Sequence, residues 1–312
     1  MSTITHALLL TAGLGTRLRP LTLVRAKPAL PVAGTPMVRR ILAWLHEAGI
    51  REAVLNLHHL PETIVSATGD GSDLGVRVRY SWEHPVVLGS AGGPRQALDI
   101  IGADTFLIVN GDTLTDLALA PMIDDHRASG AQVTMAVIPN VEPHRYSGLR
   151  VAGDGAVLGV VPRGSSERSF HFIGVQVAHR RAFDGAPAGV PSNSVGDVYD
   201  RLIAAAPGSI RAHRCDARFW DIGTVTDYWS TSWAFAPSGQ DSQHAGALVG
   251  AGATVTRSIA WHDVRVGERC RVDQCILTDG VHVPAGTSWS RSILMPGPDG
   301  GVLATPFSTE TA

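Results

Sequence analysis

Through Asn110 the apolar residues alternate between short unbroken runs and stretches with helical spacing. The run Ala7-Leu8-Leu9-Leu10 reads as a strand, closed at once by Gly13-Leu14-Gly15-Thr16. Between Met37 and Ala48, the residues Val38, Ile41, Leu42 and Leu45 return every third or fourth position, which predicts a helix ended by Gly49. Ala53–Leu57 predicts the next strand, Pro61–Ala67 a short helix, Val76–Tyr80 a strand and Ala91–Ile100 a helix. Thr105–Asn110 predicts a buried strand that runs into Gly111-Asp112. This alternation predicts an α/β fold: a Rossmann-like, mostly parallel sheet flanked by helices on both faces. Right-handed crossovers then put ligands at the carboxyl ends of the strands, where the turns at Gly13 and Gly111 both lie.

The rhythm then changes twice. Val133–Ile138, Leu149–Ala152, Ala156–Val161 and Phe170–Val177 are longer strand patterns that extend the sheet, and the polar stretch from Pro237 to His244 reads as a linker. In the last fifth, Leu248-Val249-Gly250, Val264-Arg265-Val266-Gly267, Val272, Ile276 and Val281-His282-Val283 recur at intervals near six or its multiples. Such beats resemble the hexapeptide repeats of a left-handed parallel β-helix, with room for about three coils. Expected domains are therefore 1–236, a short β-helix over 245–296, and a flexible tail over 297–312.

Composition narrows the class. The chain has 312 residues, 44% hydrophobic and 17% charged, with a net charge of −2, which gives no bulk electrostatic reason to bind nucleic acid or an anionic membrane. No stretch approaches a membrane span, and His6-Ala7-Leu8-Leu9-Leu10 is too short and lacks the basic start of a signal peptide. Cys215, Cys270 and Cys275 have no metal-site spacing and are odd in number, so buried, reduced thiols in a cytoplasmic protein are expected.

The chemistry concentrates in Thr11-Ala12-Gly13-Leu14-Gly15-Thr16-Arg17-Leu18-Arg19-Pro20-Leu21-Thr22. Glycines after a strand let backbone N–H groups approach a polyphosphate. The dinucleotide fingerprint fails at Leu18, where it needs a third glycine, and the P-loop's Gly-Lys-Ser/Thr is missing. The loop instead carries Arg17 and, ten positions on, Lys27-Pro28, two cations suited to gripping a triphosphate whose α-phosphorus is attacked. Gly-x-Gly-Thr-Arg-x-x-Pro-Leu-Thr, Lys-Pro and Leu30-Pro31-Val32-Ala33-Gly34-Thr35-Pro36-Met37 together resemble the signature of nucleoside-diphosphate-sugar pyrophosphorylases, over nearly the whole chain.

That resemblance implies roles position by position. Thr11, Ala12 and Gly13 would meet the base and ribose, Gly15, Thr16 and Arg17 the β- and γ-phosphates, and Lys27 the α-phosphate and the incoming phosphate. Glu83–Gly93 is similar to the base loop of the guanylyltransferase branch, which implies nucleotide contacts at Gly89, Ser90, Ala91 and Gly92 and favours GTP. Gly111 joins them, while Asp112 and the Asp221 of Trp220-Asp221-Ile222-Gly223-Thr224 would bind one Mg²⁺, a hard cation content with one or two carboxylates plus phosphate oxygens. On the acceptor side, Tyr146, Gly148, Arg163, Ile173, Gly174 and Trp220 are implicated. Here the match departs from the family. Pro162-Arg163-Gly164 stands where Glu-Lys-Pro is common, and Phe172-Ile173-Gly174 where Asn-x-Gly is common.

The expected activity is nucleotidyl transfer from a nucleoside triphosphate to a sugar 1-phosphate, mannose-1-phosphate guanylyltransferase-like, with release of pyrophosphate. A cyclitol 1-phosphate acceptor, as in valienol-1-phosphate guanylyltransferases, stays open, as does a non-catalytic, nucleotide-sugar-sensing homologue. A homo-oligomer, dimer or tetramer, is expected through the β-helix.

Overall fold

The computed structural model describes residues 4–238, 242–243 and 246–309. The chain divides into two compact units, Met1–Gly13 with Val38–Trp220, and Leu14–Met37 with Asp221–Ala312.

The first unit is built on a nine-stranded sheet. Its elements in chain order are β1 (His6–Leu10), α1 (Met37–Glu47), β2 (Glu52–Leu57), α2 (Pro61–Thr68), β3 (Arg77–Trp82), α3 (Gly89–Ile101), β4 (Thr105–Asn110), β5 (Thr113–Thr115), α4 (Leu119–Ser129), β6 (Val133–Pro139), β7 (Gly148–Val151), β8 (Val157–Val161), β9 (Phe170–His179), α5 (Tyr199–Ala205) and β10 (Ile210–Arg214). β4, β1, β2 and β3 lie side by side and parallel, with Ala7 facing Leu107 on one side and Ala53 on the other. The chain passes from β1 to β2 to β3 in one direction, then α3 returns it across to β4 on the far side of β1. The strand order therefore reverses between β1 and β4, the position at which open α/β sheets bind ligands. β9 runs antiparallel beside β4 and pairs with β6, while β7 and β8 form an antiparallel edge. Leu8, Phe106, Ile108, Met135, Phe183 and Tyr199 belong to one continuous core cluster. Burying such side chains contributes about 2 kcal/mol each.

In the second unit, Leu14–Met37 forms three short turns and a hairpin of Pro31–Val32 with Thr35–Pro36. The helix α6 (Val225–Ala234) comes next, started by a capping box in which Thr224 Oγ1 accepts from Asp227 N–H at 3.1 Å and the Asp227 carboxylate accepts from Thr224 N–H at 2.9 Å. Residues 248–296 form the left-handed β-helix. Its strands stack in parallel from one coil to the next, Leu248 facing Arg265 and Arg265 facing His282, Val255 facing Val272 and Val272 facing Trp289. Gly250 and Gly267 occupy equivalent positions in successive coils, where a Cβ would lie 2.7 Å and 2.6 Å from the backbone nitrogens of Glu268 and Ala285. Cys270 and Cys275 fill the interior with Val264, Val272 and Leu277, and burial pushes the Cys275 thiol up to about 11. Among the described residues no helix is long and apolar enough to cross a membrane.

Two expectations are revised. Residues 297–309 do not form a flexible tail: Val302–Pro306 pairs antiparallel with Ser292–Pro296, and Phe307 packs on Trp229 with ring centroids 5.4 Å apart. The expectation of a flexible tail missed this strand, which turns back so that Val302 faces Pro296 and Pro306 faces Ser292. The glycine-rich run Gly89–Gly93 is also helical and forms the first turns of α3, two positions earlier than the apolar periodicity begins. Part of the expected 237–244 linker, residues 239–241 and 244, lies outside the described residues, as do 310–312.

Candidate active site

In the first unit, β1 ends at Leu10 and hands the chain to Thr11 and Ala12, both buried, and Gly13, which is exposed. Gly111 N–H donates to the Leu10 carbonyl at 2.9 Å, so the turns that end β1 and β4 are tied together. A buried polar chain then fixes this corner. Thr11 N–H donates to Asn56 Oδ1 at 2.6 Å, and its hydroxyl donates to the Asn56 carbonyl. Asn56 Nδ2 donates to Glu83 Oε1 at 2.6 Å, and Leu88 N–H donates to Glu83 Oε2 at 2.6 Å. Thr11, Asn56 and Glu83 are each no more than 2% exposed. The carboxylate of Glu83 thus couples the glycine turn to the residue just ahead of Gly89. Glu83→Ala leaves two buried donors unpaired, so it should destabilise folding by about 3 kcal/mol. A urea unfolding curve superimposing on that of the parent protein would remove this role.

The run Gly89–Gly92 is held from behind by a segment that the sequence did not flag. The Ser192 carbonyl accepts from Ala91 N–H at 2.9 Å and Gly92 N–H at 3.2 Å, and Ser90 Oγ accepts from Ser194 N–H at 2.9 Å. Cβ atoms on Gly89 and Gly92 would lie 2.7 Å from the carbonyl oxygens of Ser192 and Val190. These glycines therefore permit close backbone approach. Ala91 and Gly92 are buried, while Gly89 and Ser90 keep partial exposure.

Asp112 comes just after β4, half-buried, with the Thr113 hydroxyl 3.5 Å from its carboxylate. Gly174 sits opposite: φ is +78° and a Cβ would lie 2.7 Å from Thr113 Oγ1 and 2.9 Å from Asn110 Nδ2, so a side chain there is excluded. The register of β9 against β6 slips between Phe172 and Gln176, and Ile173 is fully buried. Tyr146 stands 4.2 Å, centroid to centroid, from His171, and His171 stands 5.1 Å from Phe219. Gly148 lies so close to Ser169 that a Cβ would collide with that side chain. Arg163 is exposed in the turn whose Gly164 N–H donates to the Pro143 carbonyl at 2.7 Å. Trp220 carries the Arg218 guanidinium 5.4 Å from its ring, and Arg218 is itself held by Asp116 at 2.6 Å.

The second unit holds the rest. Gly15 is left-handed, with φ +59°, and its carbonyl accepts from Leu18 N–H at 3.0 Å and from the Thr22 hydroxyl at 2.9 Å. A Cβ on Gly15 would lie 2.8 Å from Thr22 Cγ2 and 3.2 Å from Lys27 Cβ, so this glycine lets the loop fold tightly onto the lysine. Lys27 is 9% exposed; Thr16 and Arg17 are exposed. The Arg17 guanidinium and the Asp221 carboxylate meet at Gly223, where an added Cβ would lie 3.2 Å from Arg17 Nη1 and 3.3 Å from Asp221 Oδ2. The structure thus brings together two expected site residues, Arg17 and Asp221, that are far apart in sequence.

The lysine loop is braced from the β-helix. Arg25 Nε and Nη2 donate to the Asp279 carboxylate at 2.5 and 2.7 Å, and its guanidinium lies 5.6 Å from the Trp261 ring. Trp261 Nε1 donates to the Tyr228 hydroxyl at 2.9 Å, which donates to the Pro31 carbonyl at 2.7 Å. Burial pushes the Tyr228 hydroxyl far above its ordinary range, so it stays a neutral donor. Breaking the bidentate pair with Asp279→Asn should cost about 2 kcal/mol and lower kcat more than it alters either KM. An unchanged melting temperature and kcat would show that the brace does nothing.

The first unit is thus an α/β fold with a glycine turn at the reversal of its parallel sheet, and in the second a left-handed glycine packs on a lysine while an arginine meets a carboxylate. The chain belongs to the nucleotidyl transferase family, whose model matches residues 6–236, and a GlmU-like C-terminal hexapeptide model matches residues 242–294. It is 32% identical over 307 residues, 90% of this chain and 81% of the relative, to mannose-1-phosphate guanylyltransferase of Mycobacterium tuberculosis. It is 35% identical over 226 residues, 70% of this chain and 93% of the relative, to N-acetylmuramate alpha-1-phosphate uridylyltransferase of Neisseria meningitidis. Among solved structures, HddC from Yersinia pseudotuberculosis complexed with GMP-PN shares the fold with a TM-score of 0.63, at 21% identity, covering 74% of this chain and all of that one.

Proposed function

We propose that this nucleotidyl transferase joins a nucleoside triphosphate, GTP in preference, to a sugar 1-phosphate, mannose 1-phosphate foremost, with release of pyrophosphate. The observation that carries this reading is the second unit's glycine turn, which combines Lys27 against Gly15 with Arg17 and Asp221 at Gly223. The guanine preference draws on the Leu88–Gly92 run, on the mycobacterial guanylyltransferase and on the GMP-PN complex of HddC. The neisserial relative, a uridylyltransferase, makes UTP the competing donor.

A phosphate oxygen of the acceptor attacks the α-phosphorus in line; its P–O bond forms as the bond to the β-phosphate oxygen breaks, and pyrophosphate leaves with that electron pair. The nucleophile is already anionic, so no side chain need remove a proton. The protein's work is positioning and charge stabilisation. Thr11, Ala12 and Gly13, with Gly89 and Ser90, hold the nucleoside; Gly15, Thr16 and Arg17 hold the β- and γ-phosphates; Lys27 neutralises charge on the α-phosphate and the entering phosphate. Asp112 and Asp221 would hold Mg²⁺, which supplies charge neutralisation to the phosphates. Among the described residues no cluster of three or more His, Cys, Asp or Glu side chains forms a cage, and two carboxylates suit an ion that completes its shell with phosphate oxygens and water.

Pyrophosphate release measured across four nucleoside triphosphates and mannose, glucose and valienol 1-phosphates tests the reading. Turnover with GTP and mannose 1-phosphate above all other pairs supports it; preference for UTP replaces the donor. A preference for valienol 1-phosphate replaces the acceptor, an alternative favoured by the apolar Pro162 and Phe172 at positions where the family carries Glu and Asn. Nucleotide-sugar binding with no turnover on any pair would make the protein a sensor. The reading also includes a homo-oligomer through the β-helix, whose Leu248–Val249 strand pairs on one side with Arg265–Val266 and leaves Leu248 64% exposed. A monomeric mass by light scattering would refute that part.

A further inference from the structure

Buried polar atoms with no hydrogen-bond partner gather beside Tyr146. They are Oδ1 of Asn140 and the ring nitrogens of His171, which the Ser147 backbone approaches without completing a well-aligned hydrogen bond. The two residues share that neighbour: the His171 ring packs on Tyr146 at 4.2 Å, and Asn140 Nδ2 donates to the Tyr146 carbonyl at 3.3 Å. Each unpaired buried donor or acceptor costs about 1–3 kcal/mol, and folded proteins carry few of them without a reason. Water or a ligand is the usual reason.

The surroundings of His171 favour a ligand of a particular kind. Its ring is held between Tyr146 and Phe219, tilted 37° and 53° to them, so it has little freedom to swing out and find another partner. Burial lowers its pKa, with the Ser147 backbone partly opposing, which favours the neutral imidazole. A neutral imidazole presents one donor and one acceptor, the pairing a hydroxyl satisfies in either sense. Tyr146, His171 and Phe219 are all partly exposed and present flat apolar faces beside those polar atoms. Aromatic faces with a polar handle match a polyol ring, which has C–H faces and a hydroxyl rim. Phe172 and Pro162, by contrast, offer no side-chain polar atom at the positions where the family usually reads the acceptor.

We propose that His171, clamped by Tyr146 and Phe219, hydrogen-bonds a ring hydroxyl of the phosphorylated acceptor and so sets acceptor specificity. This inference deepens the function proposed above and rests on it. Asn140 is a positioning residue, holding the Tyr146–Gly148 turn against Ser169.

The test is a mutant-by-substrate cycle. His171→Phe keeps a flat ring between the two aromatics and removes both nitrogens, and His171→Asn restores one hydrogen-bonding group. Acceptors are mannose 1-phosphate, glucose 1-phosphate and their monodeoxy derivatives at each ring hydroxyl. In His171→Phe, kcat/KM for the preferred acceptor should fall about 10-fold to 100-fold, mostly through KM, with KM for the nucleotide unchanged. One deoxy substrate should be poor for the parent protein yet suffer no further loss in His171→Phe, which identifies the hydroxyl; a purely structural histidine would show no such substrate dependence. His171→Asn should recover part of the loss. If His171→Phe keeps parental kcat/KM on every acceptor used, or every deoxy loss is simply additive, His171 does not read the acceptor while the nucleotidyl transfer stands. If the parent protein transfers a nucleotide to no acceptor at all, the transferase reading falls and the inference falls with it.

Discussion

Replacing Lys27 by methionine is expected to lower kcat/KM about 1000-fold or more while moving the melting temperature by only a few degrees. Methionine retains the unbranched apolar stem that packs against Gly15 and removes only the charge. A cation fixed beside developing negative charge at phosphorus is worth several kcal/mol in a water-poor site, because the loop is already ordered and nothing reorganises as the charge moves. At 9% exposure, Lys27 has the enclosure this effect requires. Lys27→Arg should recover little, since the guanidinium is a broad planar fork and the space beside Gly15 and Thr22 is tight. A methionine variant that turns over near the parental rate would remove Lys27 from the chemistry, and with it the main support for the proposed mechanism.

The second large effect concerns the two carboxylates. Asp112→Asn and Asp221→Asn should each lower kcat about 100-fold to 1000-fold at fixed Mg²⁺. Each should also flatten the dependence of thermal stability on Mg²⁺ in the presence of GTP. The amide keeps size and one acceptor oxygen, so folding should persist; at Gly223 there is no room for a larger group beside Arg17. Asp221→Asn should additionally leave the Arg17 guanidinium without its anionic neighbour, raising the KM for the triphosphate. A variant that keeps both the rate and the Mg²⁺-dependent stabilisation would show that the ion, if used, is held by other groups.

The second unit shows where a reading along the chain runs out. The glycine turn, Arg17 and Lys27 stand out in the sequence because a phosphate-holding loop needs small residues and cations within a few positions of one another. Their structural partners do not stand out, since Asp279 is 254 positions from Arg25 and Pro31 is 197 from Tyr228. Nothing in the local composition of Leu14–Met37 says that it clusters with Asp221–Ala312. The same holds in the first unit. Asn56 inside the apolar run Ala53–Leu57 is a visible oddity, a polar side chain where the pattern calls for burial. Its explanation needs Thr11, 45 positions away, and Glu83, 27 positions away. His171 is the sharper case: a lone histidine in a strand pattern usually means little, and only the folded chain shows its buried ring nitrogens poorly satisfied beside Tyr146.

What the amino-acid order determined by itself was what depends on near neighbours: the strand and helix periods, the α/β alternation, the hexapeptide beat and the glycine turn that follows β1. These are steric and hydrophobic rules acting over a few residues, so they are written in adjacent letters. Tertiary structure alone decided which carbonyl holds Ala91 and Gly92, that Val302–Pro306 closes onto Ser292–Pro296, and that an imidazole is packed between Tyr146 and Phe219. Those outcomes turn on whether distant groups are desolvated together, a free energy that belongs to pairs brought close by folding and to no residue taken singly.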